Sequence, residues 1–209
     1  MTYAKNYLRN LGLAWLGALL VIAAVPATAA EAGPDAMVRT TVEDVLGLIK
    51  QNKDKRELRA LAEQKVLPHF DFKRMTQFAV GRSWREATPA QQQALENAFR
   101  SLLVSTYTSA LSQTVSSNQT VEVKPLAAAQ GKQEDVTVRT LVKESGRQPV
   151  AIDYRLAATG TGWKVYDVVV ENLSLVTNYR SSFASEINRS GVDGLIKVLE
   201  DKNRSLAQS

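Results

Sequence analysis

The spacing of apolar residues changes period twice along this chain, and that double change limits the fold more than any other feature. Between 35 and 51, Val38, Val42, Val45, Leu46 and Ile49 recur at helical spacing. A second helix is expected from Asp54, with Glu57 three residues on as in a capping box, to about Val66, before Pro68. Asp71 can cap a third, carrying Phe72, Met75 and Phe78 and closed by Gly81. Thr88-Pro89-Ala90-Gln91 is a helix start, and Leu95, Phe99, Leu102, Leu103, Tyr107 and Leu111 follow as one stripe towards Val115. The period then becomes two, through Val121 and Val123, through Val136, Val138 and Val142, through Val150, Ile152, Tyr154 and Leu156, and from Trp163 to Val170. Helical spacing returns at Ser174 with Val176, Tyr179, Phe183 and Ile187, and Ser190 with Asp193 suggests a fresh cap before Val192, Leu195, Ile196 and Leu199. Four short-linked strands imply an antiparallel meander. The class is α+β, with a sheet of about four strands covered by helices from both ends of the chain.

The first 30 residues stand apart. Lys5 and Arg9 precede an uncharged apolar run from Leu11 to Val25, and Ala27-Thr28-Ala29 offers a small-residue cleavage pattern. This order predicts a secretory signal peptide over 1–30, cut after Ala29 or Ala30. The alternative, a permanent anchor, is disfavoured because a run of about 15 residues falls short of the ~20 that span a bilayer. No Cys follows to carry a lipid. The remaining 31–209 is expected to form a single domain. Its formal charge drops from +5 to +3 once Lys5 and Arg9 are gone, and no segment interleaves aromatic with basic residues, so no nucleic-acid partner is expected.

Chemical motifs are mostly absent. The chain has no Cys and one His, which removes disulfides, thiol catalysis, Cys-ligated zinc and multi-His metal sites. No nucleophile elbow, phosphate loop, dinucleotide fingerprint or HExxH occurs. His69 beside Asp71, or Asp153 with Asp167, could be offered as acid–base pairs for a hydrolase. A loop His next to a helix cap, and two strand acids in structural roles, account for them more simply. The basic clusters Lys53-Asp54-Lys55-Arg56 and Lys73-Arg74 read as solvated helix starts, with a lipid-headgroup or partner surface as the alternative. Val168-Val169-Val170 is apolar without alternation, so both faces of the sheet are expected to be covered there.

Four blocks carry a family likeness. They are Val66-Leu67-Pro68-His69-Phe70-Asp71-Phe72 with Met75; Val80-Gly81-Arg82-Ser83-Trp84-Arg85-Glu86-Ala87-Thr88 with Gln91, Phe99, Leu102, Leu103 and Tyr107; Gly162-Trp163-Lys164-Val165-Tyr166-Asp167-Val168 with Ser174-Leu175-Val176, Tyr179-Arg180 and Phe183; and Gly191-Val192-Asp193-Gly194-Leu195-Ile196 with Leu199. In this order the chain resembles the MlaC family of periplasmic phospholipid-binding proteins, also called toluene-tolerance or ABC-transporter auxiliary proteins. Glu171-Asn172 stands where members usually carry Gly, and Asn tolerates positive φ. The resemblance implies a deep apolar pocket between sheet and helices and a periplasmic shuttle for phospholipid that maintains outer-membrane lipid asymmetry. The implied partners are an outer-membrane lipoprotein–porin complex and an inner-membrane ABC transporter with an MCE-domain subunit. It implies no catalytic residues, and no cofactor other than phospholipid as cargo. A structural adaptor with a filled core is the remaining alternative.

The expected pocket wall comes from strand register. Gly160-Thr161 suits a type II′ turn, which sets Leu156 opposite Val165, Tyr154 opposite Asp167 and Ile152 opposite Val169. One face then carries Ile152, Leu156, Val165 and Val169, with Tyr154 in reach of the Asp167 carboxylate. With Phe99, Leu103 and Tyr107 from the long helix, these are the predicted acyl-chain contacts. Trp84, between Gly81 and the Thr88 cap, is expected to be a packing anchor rather than a partner contact.

Overall fold

The architecture follows from how each segment satisfies its ends and buries its stripe. The structure, a computed structural model, describes residues 33–51, 55–114, 118–124 and 134–208, all within one compact unit, Glu31–Ser209. The expected signal segment and the Asp54 cap lie outside the described residues.

Helices α1 (Pro34–Lys50) and α2 (Lys55–Lys65) lead into a 3₁₀ turn at Leu67–His69. Helix α3 (Phe72–Val80) begins where the Asp71 carboxylate accepts the Arg74 N–H at 2.9 Å, and ends at Gly81, whose φ is 69°. A single turn, α4 (Ser83–Glu86), holds Trp84. The capping box of α5 (Pro89–Thr114) is made as expected: Gln91 N–H donates to Thr88 Oγ1 at 3.2 Å, and Thr88 N–H donates to Gln91 Oε1 at 3.0 Å.

The sheet runs β1 (Thr120–Val123), β2 (Asp135–Lys143), β3 (Val150–Thr159), β4 (Gly162–Val170) and β5 (Leu173–Ser174), antiparallel and in sequence order. The fifth strand is a two-residue return that the sequence did not announce. Its turn holds Glu171 at φ 48° and Asn172 at φ 66°. Glu171 tolerates this because its N–H donates to the Ala151 carbonyl at 3.0 Å and its carboxylate accepts the Ala151 N–H at 2.7 Å. Further along β4, Asp71 N–H donates to the Val165 carbonyl at 2.8 Å, which covers that stretch of the strand edge.

Helix α6 (Leu175–Gln208) is interrupted where a second helix was expected to begin, at Gly191, with φ 73° and ψ −178°, a conformation that only glycine adopts readily; the capping differs from expectation. Ser190 does not cap a new helix. Its Oγ turns back to the Glu186 carbonyl at 3.1 Å, while Asp193 accepts Gln91 Nε2 at 2.8 Å.

Apolar burial is divided. Met75, Trp84, Leu95, Phe99, Leu103, Phe183 and Leu195 form a helical cluster from α3, α4, α5 and α6. Val38, Val123, Val138, Leu156 and Val165 form a second, between α1 and the sheet. Phe70 packs against both. Each buried large side chain contributes roughly 1.5–3 kcal/mol, but the two clusters do not close on each other, and the space between them is the candidate site.

Candidate functional site

Two adjoining cavities occupy that space, one of about 350 Å³ and one of about 460 Å³. Val45, Val66, Phe70, Ile152 and Tyr154 line both and form the shared wall. The first chamber adds Phe72, Met75, Leu103, Tyr107, Val168, Val170 and Leu175. Its wall is almost wholly hydrocarbon. The second adds Val38, Val42, Val121, Val142, Val150 and Val165, and carries a polar group of Thr41, His69, Gln119, Glu144, Arg147 and Gln148. Glu144 accepts Gln119 Nε2 at 3.0 Å and pairs with Arg147 at 3.5 Å.

The sheet explains why the site opens where it does. Val170 ends β4, Val150 begins β3, and the turn from Glu144 to Arg147 joins β2 to β3, all at one end of the sheet. Tyr107, Val150, Val170 and Leu173 are among the exposed large apolar side chains, and Leu173 is 75% exposed. Tyr107 and Val170 in the first chamber and Val150 in the second therefore give the site an exposed apolar rim, beside the polar group of the second chamber.

One irregularity decides which strand residues reach the chambers. Leu156 faces Val165 as expected, but Arg155 faces Asp167, Tyr154 faces Val168 and Ile152 faces Val170. Tyr166 has no partner on β3, which makes it the extra residue of a β-bulge. Outside, it is held by α3: the Arg74 guanidinium lies 3.9 Å from its ring centroid, and the Phe78 ring lies 5.6 Å away. The expected pairs Tyr154–Asp167 and Ile152–Val169 are thus corrected. The expected pairs rest on an uninterrupted ladder, and one added residue moves every later side chain to the other face. The turn is corrected too. Positive φ falls at Gly162, at 108°, and not at Gly160, so it is not type II′.

Of the predicted contacts, Leu103, Tyr107, Ile152 and Tyr154 line the first chamber, and Val165 joins Ile152 and Tyr154 in the second. Phe99 lies elsewhere, edge-on to Tyr179 and Phe183 with ring centroids 5.1 Å away in each case. Leu156 is sealed in the sheet core, and Val169 lines neither chamber. Sequence reading missed Val168 and Val170, and missed the contribution of α1, α2 and the 66–75 segment. Their apolar stripes were visible but carried no sign of whether they met a core or a void.

Asp167, with its side chain 5% exposed, accepts from Arg155 Nη1 at 3.1 Å, Ser174 Oγ at 2.7 Å and Val176 N–H at 3.2 Å. It is a fastener between β4 and α6. Asp153 faces Val169 and lies 3.9 Å from Arg139, so the two strand acids are not paired. Asp71 serves as a helix cap while His69 lines the second chamber. Among the described residues, no group of three or more His, Asp and Glu could hold a metal ion.

Two phenols in the chamber walls are held neutral by their surroundings. Burial pushes Tyr154 up to about 12. Burial, then the Tyr179 phenol to which it is hydrogen-bonded, pushes Tyr107 up to about 12 as well. Among the described residues, no helix is long and apolar enough to cross a membrane.

The chain is similar to known proteins. A phospholipid-binding protein from Ralstonia solanacearum, solved in complex with a phospholipid, is 43% identical, with a TM-score of 0.75 over 84% of this chain and 99% of that one. The toluene tolerance protein ttg2D of Pseudomonas putida is 29% identical over 184 residues, 85% of this chain and 84% of that protein. The intermembrane phospholipid transport system binding protein MlaC of Haemophilus influenzae is 21% identical over 179 residues, 82% of each. The family model for MlaC proteins matches residues 39–201, and the chain belongs to the MlaC protein family.

Proposed function

We propose that this protein is a periplasmic phospholipid carrier. It takes acyl chains into the paired chambers and leaves the headgroup at the rim. The observation that carries the reading is the pair of hydrocarbon-lined chambers with a common wall, in a chain 43% identical to a protein solved with a phospholipid bound. Each chamber falls within the roughly 300–1,000 Å³ typical of ligand pockets.

The need for such a carrier is thermodynamic. Each acyl CH₂ left in water costs about 0.8 kcal/mol, so two chains with roughly 30 such groups cost on the order of 20 kcal/mol. A wall of Val, Leu, Ile and Phe removes most of that cost without reading the headgroup. The protein acts by binding, without a catalytic group. Residues 1–30 direct export and are removed, leaving 31–209 as the lipid-binding domain. Lipid is exchanged with an inner-membrane ABC transporter bearing an MCE-domain subunit and with an outer-membrane lipoprotein–porin complex, which maintains outer-membrane lipid asymmetry.

Native mass spectrometry of the protein from the periplasm tests this. The expected mass begins at Ala30 or Glu31 and carries one or more phospholipids. A protein retaining Met1 in the membrane fraction, or one free of lipid, contradicts the reading.

A further inference from the structure

Among the described residues, Tyr154 is the one tyrosine shared by the walls of both chambers. It stands on the inward face of β3 between Val138 of β2 and Val168 of β4, and it lines both chambers at their shared wall. Its ring packs with the sheet core. Its hydroxyl makes no hydrogen bond to any described residue and is not among the fully buried unpartnered atoms, so it is open to the chamber space. Of the other phenols and hydroxyls at the site, Tyr107 is engaged with Tyr179 and Thr41 Oγ1 with the Met37 carbonyl at 2.8 Å, while Thr108 also lines the first chamber. Phenylalanine would fill the same wall, so the oxygen calls for its own explanation.

Resting on the carrier reading above, we infer that the Tyr154 hydroxyl donates a hydrogen bond to an acyl ester carbonyl of the bound lipid, so that the site discriminates ester-linked from ether-linked chains. The position suits an ester. In a diacyl lipid the two ester groups lie where the chains diverge, and Tyr154 lies where the chambers share a wall. The acceptor must also be uncharged. Its neighbours across the sheet are Val138 and Val168, and a phosphate brought there would lose its hydration without a cation in compensation. The polar group around Arg147 and Gln148 in the second chamber leaves the phosphate a wetter place. A site that hydrogen-bonds a ligand group rejects the analogue lacking it more strongly than an apolar site can.

The test is competition between diester and diether phosphatidylglycerols of matched chain length, offered in equimolar mixed vesicles to delipidated protein. Bound lipid is then counted by native mass spectrometry. Wild type is expected to retain the diester in roughly three- to tenfold excess, the range for one hydrogen bond. Tyr154→Phe, which keeps the ring, is expected to bind both equally. Tyr166→Phe, whose phenol lies outside the chambers, is expected to keep the wild-type ratio. Equal retention by wild type, or an excess that persists in Tyr154→Phe, overturns the inference while leaving the carrier reading intact. A wild type that takes up neither lipid overturns both.

Discussion

The carboxylate of Asp167 on β4 accepts the main-chain N–H of Val176, in the first turn of α6, at 3.2 Å. The same carboxylate holds Ser174 Oγ, and Ser174 Oγ in turn accepts the Thr177 N–H at 3.0 Å. One buried acid thus serves both the end of the sheet and the start of the last helix. Asp167→Ala should cost about 2–4 kcal/mol, because it leaves buried donors without an acceptor. Arg155→Met should cost less than about 1 kcal/mol, since Arg155 is half-exposed. Urea denaturation of both variants measures the difference. Equal losses would show that the ion pair, rather than the helix start, is what Asp167 serves.

Trp84 is 7% exposed within the helical cluster, and its carbonyl accepts Gln92 Nε2 at 2.8 Å. Truncation to Ala should cost about 3–5 kcal/mol. Thermal melting checks this, and an unchanged midpoint would mean that the indole serves a partner instead.

The bulge separates neighbouring valines into different roles. Val168→Trp and Ile152→Trp should fill chamber space, reduce co-purified lipid sharply and leave the melting temperature within a few degrees of wild type. Val169→Trp should leave lipid content unchanged, because Val169 lines neither chamber. Lipid extraction beside a melting curve decides it. Loss of lipid in Val169→Trp but not in Val168→Trp would refute the observed register.

Alkaline pH should titrate the buried phenol of Tyr154, which is pushed up from 10.0 to about 12 by burial. The stability gained by holding it neutral is fully present below pH 10 and is lost as pH rises towards 12, because the unfolded chain releases its proton first. Tyr154→Phe should therefore show a shallower loss than wild type across that window. Denaturant titrations at several pH values measure the slope, and parallel slopes would count against it.

Gly191 has open space around its Cβ position, so only its backbone constrains substitution. Gly191→Ala should cost about 1–3 kcal/mol. A neutral result by chemical denaturation would mean that α6 straightens without penalty.

Much of this fold was legible because local chemistry and global packing agree. Thr88 and Gln91 cap α5, Asp71 caps α3, and Gly81 ends it, each by a rule that operates within four residues. The strands were legible by alternation. What escaped is what depends on distant partners. Tyr166 bulges where Arg74 and Phe78, far away in sequence, hold its ring. Ser190 looked like a cap, but its hydroxyl found Glu186 and the break came from Gly191 instead. The site was half legible for the same reason. Leu103, Tyr107, Ile152 and Tyr154 share the faces that spacing gives them, whereas Phe99, on the same stripe of α5, meets Tyr179 and Phe183 rather than a void. Apolar periodicity reports which face is turned inward, not whether anything is there to meet it.

The unpaired Tyr166 lets side chains an odd number of positions apart on β4 turn to the same side of the sheet. Val165, before it, packs in the sheet core and meets the second chamber, while Val168 and Val170, after it, meet the first. In an unbroken strand Val168 and Val170 would face away from Val165. The surplus residue is therefore what allows a single strand to furnish the walls of both chambers.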